Sequence, residues 1–400
     1  MTLQPHLPSR LSSAIGAARQ QTLRAQNLAL VAYAVANASD PLSRAEVAAV
    51  TGLTRATVST LVDRLMLAGI LAELPPIASG GAGRPAVPLV PAARTLVGLG
   101  LAVDVDYLAA ALVDLTGETI QTMQIQGDFR ASQPEAVLGQ LRELAGNLIE
   151  RAEDLGLRIV GANLALPGLV DAELGILRVA PNLGWSEVNI SELFQLPGIT
   201  CKIANDAKLA ALAEVDSGES DSFIYLAGDL GIGGAIVVNG ELFGGEHGWS
   251  GEVGHVIVDP SGPLCGCGAN GCLETIAGKA ALMAAAGLPT KAPITELCEL
   301  LDAGSGQAYA ALNGASKAIG AVLCDLINVM DLPTVVFGGD FAPLLPYMSD
   351  DLSAQIASRV LSAPYTSYDM RPSEIGPFPA AIGGARTAVR DLIANPTPWC

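Results

Sequence analysis

The sequence predicts an α/β protein in which a small, mainly helical domain precedes a larger body made of two lobes. Three observations predict this class. Residues 26–74 have the spacing of three short helices followed by a strand, and residues 96–215 have that of three strands, a helix and further strand–helix units. Residues 222–393 then repeat the alternation of strands and helices around a cysteine-rich loop. A chain of 400 residues has room for two or three such domains.

The charge is divided unevenly along the chain. The first hundred residues contain eight of the 22 basic residues and four of the 40 acidic ones, which gives +4, and the remainder carries −22. A basic N-terminal module on an acidic body is typical of a DNA-binding domain joined to a ligand-binding or enzymatic domain. Half of the residues are hydrophobic, yet apolar runs such as residues 28–36 are too short to span a bilayer. We therefore expect a cytoplasmic protein without membrane contact.

The N-terminal domain, residues 1–93, is predicted to be a winged helix-turn-helix. Residues 1–22 have no clear pattern and read as a tail or a loosely held helix. Ser43 and Glu46 have the spacing of a capping box, and Thr54 is placed to cap the next helix after a tight turn. Two short strands enclosing a Gly/Pro-rich loop predict the wing. The helices are predicted over residues 26–37, 44–50 and 55–68, and the strands over 70–74 and 87–90.

The third helix is the predicted recognition helix. Its apolar residues Val58, Leu61, Val62 and Leu65 recur at helical spacing and face the domain core, whereas small and polar residues occupy the opposite face, which in this motif enters the major groove. An ordinary helical hairpin is the alternative, and the local positive charge and the predicted wing favour DNA. The predicted DNA-binding residues are Arg55, Ala56, Thr57, Ser59, Thr60, Arg64 and, at the tip of the wing, Arg84.

The body is predicted to have a two-lobed, actin-like (ribonuclease H-like) fold. Three antiparallel strands, a helix and then strand–helix units form the pattern of one lobe, and the second lobe repeats it. The first lobe is assigned to residues 94–217 and 380–400, and the second to residues 218–379. Strands are predicted over 96–103, 108–114, 119–127, 159–166, 196–204, 222–227, 235–239 and 334–337, and helices over 134–155, 207–215, 273–286, 294–301, 307–330, 344–360 and 379–393.

A loop over residues 251–274 concentrates potential metal ligands. The spacing H-x9-C-x-C-x4-C is compact enough to close around one tetrahedral Zn²⁺. A disulfide is the alternative, but it would leave a thiol and the histidine unexplained, and we expect a reducing compartment. Because three cysteines and a histidine fill every position around the metal, the zinc is predicted to be structural, one per chain. The predicted ligands are His255, Cys265, Cys267 and Cys272.

Polar residues follow several predicted strands or lie beside the cysteine loop, where they are expected to collect in a cleft between the lobes. Amides and carboxylates that converge on one pocket suit a polyhydroxylated ligand, because each can hold one or two hydroxyl groups. Any one of these residues alone reads as a helix cap or a surface residue. The predicted ligand-binding set is Asn182, Asn205, Asp206, Glu252, His255 and Glu274.

These motifs resemble the ROK family, whose members include repressors and sugar kinases. The resemblance rests on GEVGH, CGCG and GCLE around the cysteines, on ALPGLVD and NDA upstream, and on VVFGG downstream. It implies that the six polar residues above contact a sugar and that His255 serves both the metal and the sugar. The zinc would then hold the loop that presents Glu252 and Glu274 to the ligand.

The phosphate-binding loops decide between a kinase and a repressor. ROK kinases have Asp-x-Gly-x-Thr after the first strand, whereas this chain has Asp106 at the glycine position, where its charge would face a polyphosphate, and Leu108 at the threonine position. The second loop has Asp229 and Leu230 where the kinases resemble Gly-Thr. Asp206 matches the general base of the kinases and is predicted to be vestigial, so we expect no catalytic residue.

The sequence is therefore interpreted as a sugar-responsive transcriptional regulator, most simply a repressor, that acts as a homodimer or a dimer of dimers. Operator DNA and a sugar or sugar derivative are its expected partners. An active sugar kinase with a regulatory DNA-binding head is the first alternative. The second is a DNA-binding protein whose body senses a protein partner.

Overall fold

The computed structural model describes residues 20–76, 86–215 and 220–400. Arg84 and the predicted tip of the wing lie outside these residues, as does most of the N-terminal segment predicted over residues 1–22. Helices and sheets alternate through a small head and two larger lobes, which confirms the predicted α/β fold class.

The head, residues 20–76 and 86–91, contains three helices and three short strands. They are α1 (Gln20–Ala36), β1 (Leu42–Ser43), α2 (Arg44–Thr51), α3 (Arg55–Leu67), β2 (Leu71–Glu73) and β3 (Pro88–Pro91). The capping box is present, because the Ser43 hydroxyl accepts from the Glu46 amide and the Glu46 carboxylate accepts from the Ser43 amide. Thr54 caps α3 in the same way through the amide of Thr57. The strands form an antiparallel sheet in the order β1-β3-β2.

The first lobe is built on a five-stranded sheet in the order β11-β7-β4-β5-β6. β4, β5 and β6 form an antiparallel meander, and β7 and β11 run parallel to β4. The elements are β4 (Leu96–Val103), β5 (Tyr107–Asp114), β6 (Thr119–Gln126), α4 (Pro134–Asp154), β7 (Arg158–Leu166), β8 (Leu169–Asp171), β9 (Ile176–Ala180), β10 (Trp185–Asn189), α5 (Ile190–Leu193), β11 (Cys201–Asn205) and α6 (Asp206–Val215).

The second lobe repeats this plan with the sheet order β14-β13-β12-β15-β16, in which β12 takes the central place of β4. The elements are β12 (Phe223–Gly228), β13 (Ile232–Val238), β14 (Glu241–Leu242), α7 (Glu274–Ala277), α8 (Lys279–Ala285), α9 (Ile294–Asp302), α10 (Gly306–Met330), β15 (Thr334–Gly339), α11 (Phe341–Arg359) and β16 (Asp369–Pro372). The cysteine loop lies between β14 and α7.

The last long helix, α12 (Pro379–Ala394), returns to the first lobe as predicted and packs on β4, β5, β7 and α6. Glycines on β4 allow this close approach: a Cβ on Gly100 would lie 1.6 Å from the carbonyl oxygen of Ala381, and one on Gly98 would lie 2.0 Å from that of Ala385. The C-terminal end of α12 reaches the head, where Val389, Leu392 and Ile393 share one buried cluster with residues of α1 and α3. We call this cluster the head junction. A second cluster, the lobe junction, joins α6 and α12 to both five-stranded sheets.

Several predicted boundaries are wrong. The strand predicted over residues 196–204 begins at Cys201, because Pro197 and Gly198 form a turn in which Gly198 has a φ of 76°. The helix predicted over 273–286 is interrupted at Gly278, between α7 and α8. The strand predicted over 235–239 begins at Ile232, and α1 begins at Gln20 rather than at residue 26. β8, β9, β10 and β16 were not predicted.

Within the described residues, one helix, α10, is long and apolar enough by composition to cross a membrane. More than half of its most apolar window is buried inside the protein, and it contributes Leu312, Ile319 and Leu323 to the core of the second lobe. α10 is therefore described as a core helix of that lobe.

Candidate ligand cleft and metal centre

A cavity of about 360 Å³ lies between the two lobes. It opens where β4, β7 and β11 end in the first lobe and where the turn between β12 and β13 faces them from the second. Carboxyl ends of sheet strands are a common place for ligands in α/β folds, because loops from neighbouring strands converge there. This cavity is the candidate ligand site.

All six residues predicted to bind the ligand line this cavity. They come from four separate parts of the chain, which only the fold brings together. Asn182 lies in the turn between β9 and β10, and Asn205 and Asp206 lie where β11 meets α6. Glu252 and His255 belong to the cysteine loop, and Glu274 begins α7.

Asp206 is placed at the N-terminus of α6, where its carboxylate accepts from the amide of Ala207 at 2.7 Å. Burial raises its pKa to about 7, and the carboxylates of Asp104 and Glu252 act in the same direction. A carboxyl with this pKa can either accept or donate a hydrogen bond near neutral pH. It is therefore suited to holding a hydroxyl group.

Asn182 and Glu274 meet at the turn between β12 and β13. A Cβ on Gly231 would lie 2.9 Å from Glu274 Oε2 and 3.2 Å from Asn182 Nδ2, so glycine is the residue that leaves both side chains in place. The amide and the carboxylate come from different lobes. A ligand that contacts both residues would therefore bridge the cleft.

The predicted metal ligands form a compact cluster beside the cleft. Their ligand atoms all lie within 4.8 Å of one another, and the group is His255, Cys265, Cys267 and Cys272. Cys267 Sγ lies 3.6 Å from Cys272 Sγ, and Cys265 Sγ lies 3.6 Å from His255 Nδ1. Tetrahedral zinc with ordinary Zn–S and Zn–N bond lengths requires ligand separations of roughly 3.5–3.8 Å. The cluster therefore fits a metal ion of this kind.

In the half of the cleft next to β4, the residues that face the cavity are not those expected from the phosphate-loop motif. Asp104 and Tyr107 line the cavity, and the ring of Tyr107 lies 5.2 Å from that of Phe378 at the start of α12. Asp106 instead points to the rim, with a side chain that is 54% exposed and paired with Arg130. Leu108 is fully buried in the first-lobe core. The expectation that Asp106 faces a bound polyphosphate is thus wrong, because the turn directs its side chain outward.

A chain of ion pairs connects the first lobe to the second. Arg130 contacts Asp106 and Asp128 at 2.8 Å each, and Lys291 of the second lobe contacts Asp128 at 2.9 Å. These groups are largely exposed, so each pair contributes little on its own. We call the four residues the rim chain.

Comparison with known proteins identifies the fold. The model of the ROK family matches residues 98–390, which is well over half of the chain. This chain belongs to the ROK family.

Several ROK proteins share this architecture. The xylose repressor of Bacillus subtilis strain 168 is 30% identical over 355 residues, which cover 86% of this chain and 90% of the repressor. A ROK family transcriptional regulator, described as a homologue of the E. coli MLC protein, superposes with a TM-score of 0.79 at 24% identity and covers 93% of this chain and 97% of its own. The ROK hexokinase from Thermus thermophilus is 29% identical with a TM-score of 0.60, and the match covers 74% of this chain and 99% of the hexokinase.

The ROK body is matched by both kinds of relative, whereas the hexokinase leaves about a quarter of the chain unmatched. The length of that remainder is about that of the head. Relatives named as repressors or regulators therefore cover nearly all of this chain.

α3, the helix predicted to contact DNA, exposes four of the predicted residues. Arg55, Ala56, Thr60 and Arg64 are exposed, while Thr57 and Ser59 are partly buried. The four apolar residues predicted to face inward are all buried. Arg44, which was not predicted, pairs with Asp63 and Glu73 and joins α2 to α3 and β2.

Sequence reasoning missed three groups, of which Tyr225 lines the ROK cleft and the other two lie outside its lining. Tyr225 is fully buried, yet its hydroxyl has no hydrogen-bond partner among the described residues. Trp249 Nε1 donates to the carbonyl of Val170 at 3.0 Å and so ties the cysteine loop to the first lobe. Burial lowers the pKa of Lys208, and the nearby carboxylate of Glu252 acts in the opposite direction. The two aromatic residues stand in strands or loops that read as core, so no sequence signal separated them from packing residues.

Proposed function

We propose that this ROK chain is a sugar-responsive transcriptional repressor that binds operator DNA with its head and a sugar in its cleft, without phosphorylating the sugar. The observation that carries the proposal is the match to the xylose repressor, which spans both head and body. Its name makes xylose the first effector to test. A protein that acts on operator DNA belongs in the cytoplasm.

The cleft is suited to a sugar because its polar groups come from both lobes. Asn182 and Asn205 can donate and accept hydrogen bonds, and the carboxylates accept from hydroxyl groups. A ligand held by Asp206 on one side and Glu274 on the other favours the closed arrangement of the lobes.

We further propose that the cysteine cluster binds a structural zinc ion through His255 and its three cysteines. When bound, the metal supplies a fixed charge and a rigid loop, since a site with four protein ligands has no open position. The Cys265 thiol donates a hydrogen bond to Glu274 Oε1 at 2.8 Å. A thiolate ligand cannot donate this bond, so metal binding leaves the Glu274 carboxylate available to a hydroxyl group in the cleft.

The same cleft is poorly suited to ATP. The amide of Asp106 donates to Asp104 Oδ1 at 3.0 Å, and the amide of Asp229 donates to the carbonyl of Gly231 at 3.0 Å. Phosphate-binding loops need such amides free to face the phosphates. Within the described chain, Asp104 and Asp229, rather than cationic side chains, line this half of the cavity.

The effector signal is proposed to reach DNA through α12. Pro379 and Ala380 at its N-terminus line the cavity, while Leu392 and Ile393 near its C-terminus lie in the head junction. Closure of the lobes on a sugar would change the spacing of the two heads in a homodimer and so weaken binding to paired half-sites. The strands β2 and β3 flank the segment that is predicted to form the wing.

Fluorescence anisotropy with DNA from upstream of the coding region tests this function. We expect sequence-specific binding at moderate salt that is weakened by one member of a sugar panel beginning with xylose. By reciprocity, operator DNA must weaken binding of that sugar by the same factor. Absence of specific binding would contradict the repressor function. If no sugar of the panel raises the melting temperature, a body that senses a protein partner is favoured instead.

An active sugar kinase is the second candidate, favoured by the position of Asp206 and by the likeness to the hexokinase. Coupled measurement of ADP release with glucose, N-acetylglucosamine and N-acetylmannosamine decides between them. Turnover above about 1 s⁻¹ that is lost in Asp206→Asn would replace the repressor proposal by a kinase.

A further inference from the structure

We propose that the cleft selects an uncharged, unphosphorylated sugar and rejects the corresponding sugar phosphate, and that Asp104 and Asp229 set this selectivity. The inference rests on the proposed sugar-binding function and narrows it to one ligand class. Four features of the cavity support it.

The first feature is the charge of the lining. Five carboxylates line the cavity, and among the described residues no Lys or Arg does. Sites for phosphorylated ligands use Arg or Lys, which form charge-assisted hydrogen bonds with phosphate oxygens. A cavity with the opposite composition disfavours any anionic ligand.

The second feature is that nearby cations are directed elsewhere. The Lys208 ammonium donates to the carbonyl of Gly248, and Lys279 Nζ lies 3.1 Å from Asp340 Oδ2. Arg130 is held in the rim chain. If any of these cations moved to a phosphate, its existing contact would break and the present partner would lose a hydrogen bond or ion pair.

The third feature is that the backbone offers little compensation. Helix N-termini attract anions through their free amides. At the start of α6, however, the Asp206 carboxylate already accepts from the amide of Ala207. The amides of Asp106 and Asp229 are bonded to Asp104 and to Gly231. These positions cannot replace the missing cations.

The fourth feature is the match of donors and acceptors. Ionised carboxylates only accept hydrogen bonds, so a lining rich in them requires a ligand that donates. A sugar hydroxyl does both, so it can pair with an ionised carboxylate and also with a carboxyl that burial favours in the protonated form, as the raised pKa of Asp229 indicates. A phosphate dianion accepts but cannot donate.

The position of Asp206 shows where a phosphate would encounter this charge. Asp104, Asp206 and Asp229 all line the cavity, and the carboxylate of Asp104 helps burial to raise the pKa of both Asp206 and Asp229. A phosphate on the hydroxyl held by Asp206 would therefore face Asp104 and Asp229. One such like-charge contact at about 4 Å corresponds to a roughly hundred- to thousand-fold loss of affinity.

Isothermal titration of the full chain with matched pairs tests the proposal. The pairs are xylose and xylose 5-phosphate, glucose and glucose 6-phosphate, and N-acetylglucosamine and its 6-phosphate, at about pH 8 so that the phosphate is dianionic. We expect one neutral sugar to bind at least about 100-fold more tightly than its phosphate. A phosphate that binds as tightly as its parent sugar would overturn the proposal while leaving the sugar site intact. If no member of any pair binds, the proposed sugar site fails and the selectivity fails with it.

Two variants assign the selectivity to residues. Asp229→Asn keeps the shape of the side chain but removes a carboxyl whose ionised form repels an anion, and should reduce the ratio of the two dissociation constants about tenfold. Asp154→Asn removes an exposed charge at the end of α4, outside the cavity, and should leave the ratio unchanged. Equal ratios in wild type and Asp229→Asn, with both proteins melting as folded chains, would contradict the role of Asp229.

Discussion

The head junction and the lobe junction are both buried, but they are built from different side chains. Each contains nineteen buried residues of the described chain. Only three of those in the head junction are alanine, and the rest are mainly Leu, Val and Ile. In the lobe junction twelve are alanine. Large branched side chains interlock, whereas small ones leave smoother surfaces that can slide past each other.

The difference indicates which parts of the molecule move together. The head is fixed to the first lobe by interlocking side chains, while the second lobe meets the first through small residues, a ligand cavity and the exposed rim chain. A ligand in the cleft can thus shift the equilibrium between open and closed lobes with a small free-energy cost at the junction. The head then follows the first lobe as part of one body.

Loss of a large side chain from the head junction should have the largest effect. Leu392→Ala removes a residue that is 4% exposed and should lower the free energy of unfolding by about 3 kcal/mol. Urea denaturation measures this change, and anisotropy should show weaker operator binding. Sugar affinity should persist, because the cavity is at the other end of α12. Leu361→Ala, at a position 86% exposed, is the control and should change stability by less than about 0.5 kcal/mol. Equal stabilities of the two variants would contradict the interlocking of the head.

Removal of a metal ligand should weaken sugar binding in the cleft but leave operator binding by the head intact. Cys267→Ser should reduce bound zinc from about one per chain to a small fraction and weaken sugar binding by about 10–100-fold, because the loop that carries Glu252 loses its support. Operator binding without sugar should remain. Metal analysis and calorimetry provide the measurements. Cys298→Ser alters a half-buried thiol outside the cluster and serves as the control. Unchanged sugar binding in the zinc-free variant would remove the metal from the effector response.

A change of pH should act on the cleft through Asp206, the first residue of α6. Its pKa of about 7 in the folded chain exceeds that of an unfolded aspartate, so its contribution is fully present below about pH 4 and is lost as the pH rises through 7. Asp206→Asn imitates the protonated form and should raise the free energy of unfolding at pH 8 by on the order of 2 kcal/mol, and by less than half as much at pH 5, where only the unfolded aspartate is ionised. Thermal melts at both values measure the effect. An equal shift at both pH values would contradict the raised pKa.

The rim chain should give the smallest effect. Lys291→Ala removes an exposed contact with Asp128 and should weaken sugar binding two- to fourfold at low salt, since such pairs contribute less than about 1 kcal/mol. The difference from wild type should vanish at about 1 M salt, where charges are screened. Lys317→Ala, on the exposed face of α10, is the matched control. A loss that persists at high salt would assign Lys291 another role.

Much of the fold could be predicted because local signals agree with the tertiary structure. Ser43 and Thr54 mark helix starts that the structure confirms, and the apolar run that forms β4 is predicted to the residue. The small sheet of β8, β9 and β10 escaped prediction because its strands are short and only partly buried. The break at Gly278 depends on its contact with the carbonyl of Glu274, which no sequence pattern shows.

The sequence predicted which residues line the site, but not the directions in which their side chains point. Asn205 and Asp206 follow a strand, so their place in a cleft follows from the fold class. The outward turn of Asp106 and the inward burial of Leu108 depend on the geometry of one tight turn. The sequence alone therefore could not show that Asp104, and not Asp106, lines this wall of the cavity.

The position of α12 also has a consequence for the order of folding. The head is synthesised first, but part of its core comes from α12, which follows α3 by roughly 300 residues. At the usual rates of translation this separation corresponds to about 15–60 s. During that interval the hydrophobic side chains of α1 that later meet Leu392 and Ile393 lack part of their cover. A nascent or truncated chain would thus carry an incomplete head, so tight operator binding would be acquired only once the body has folded around α12.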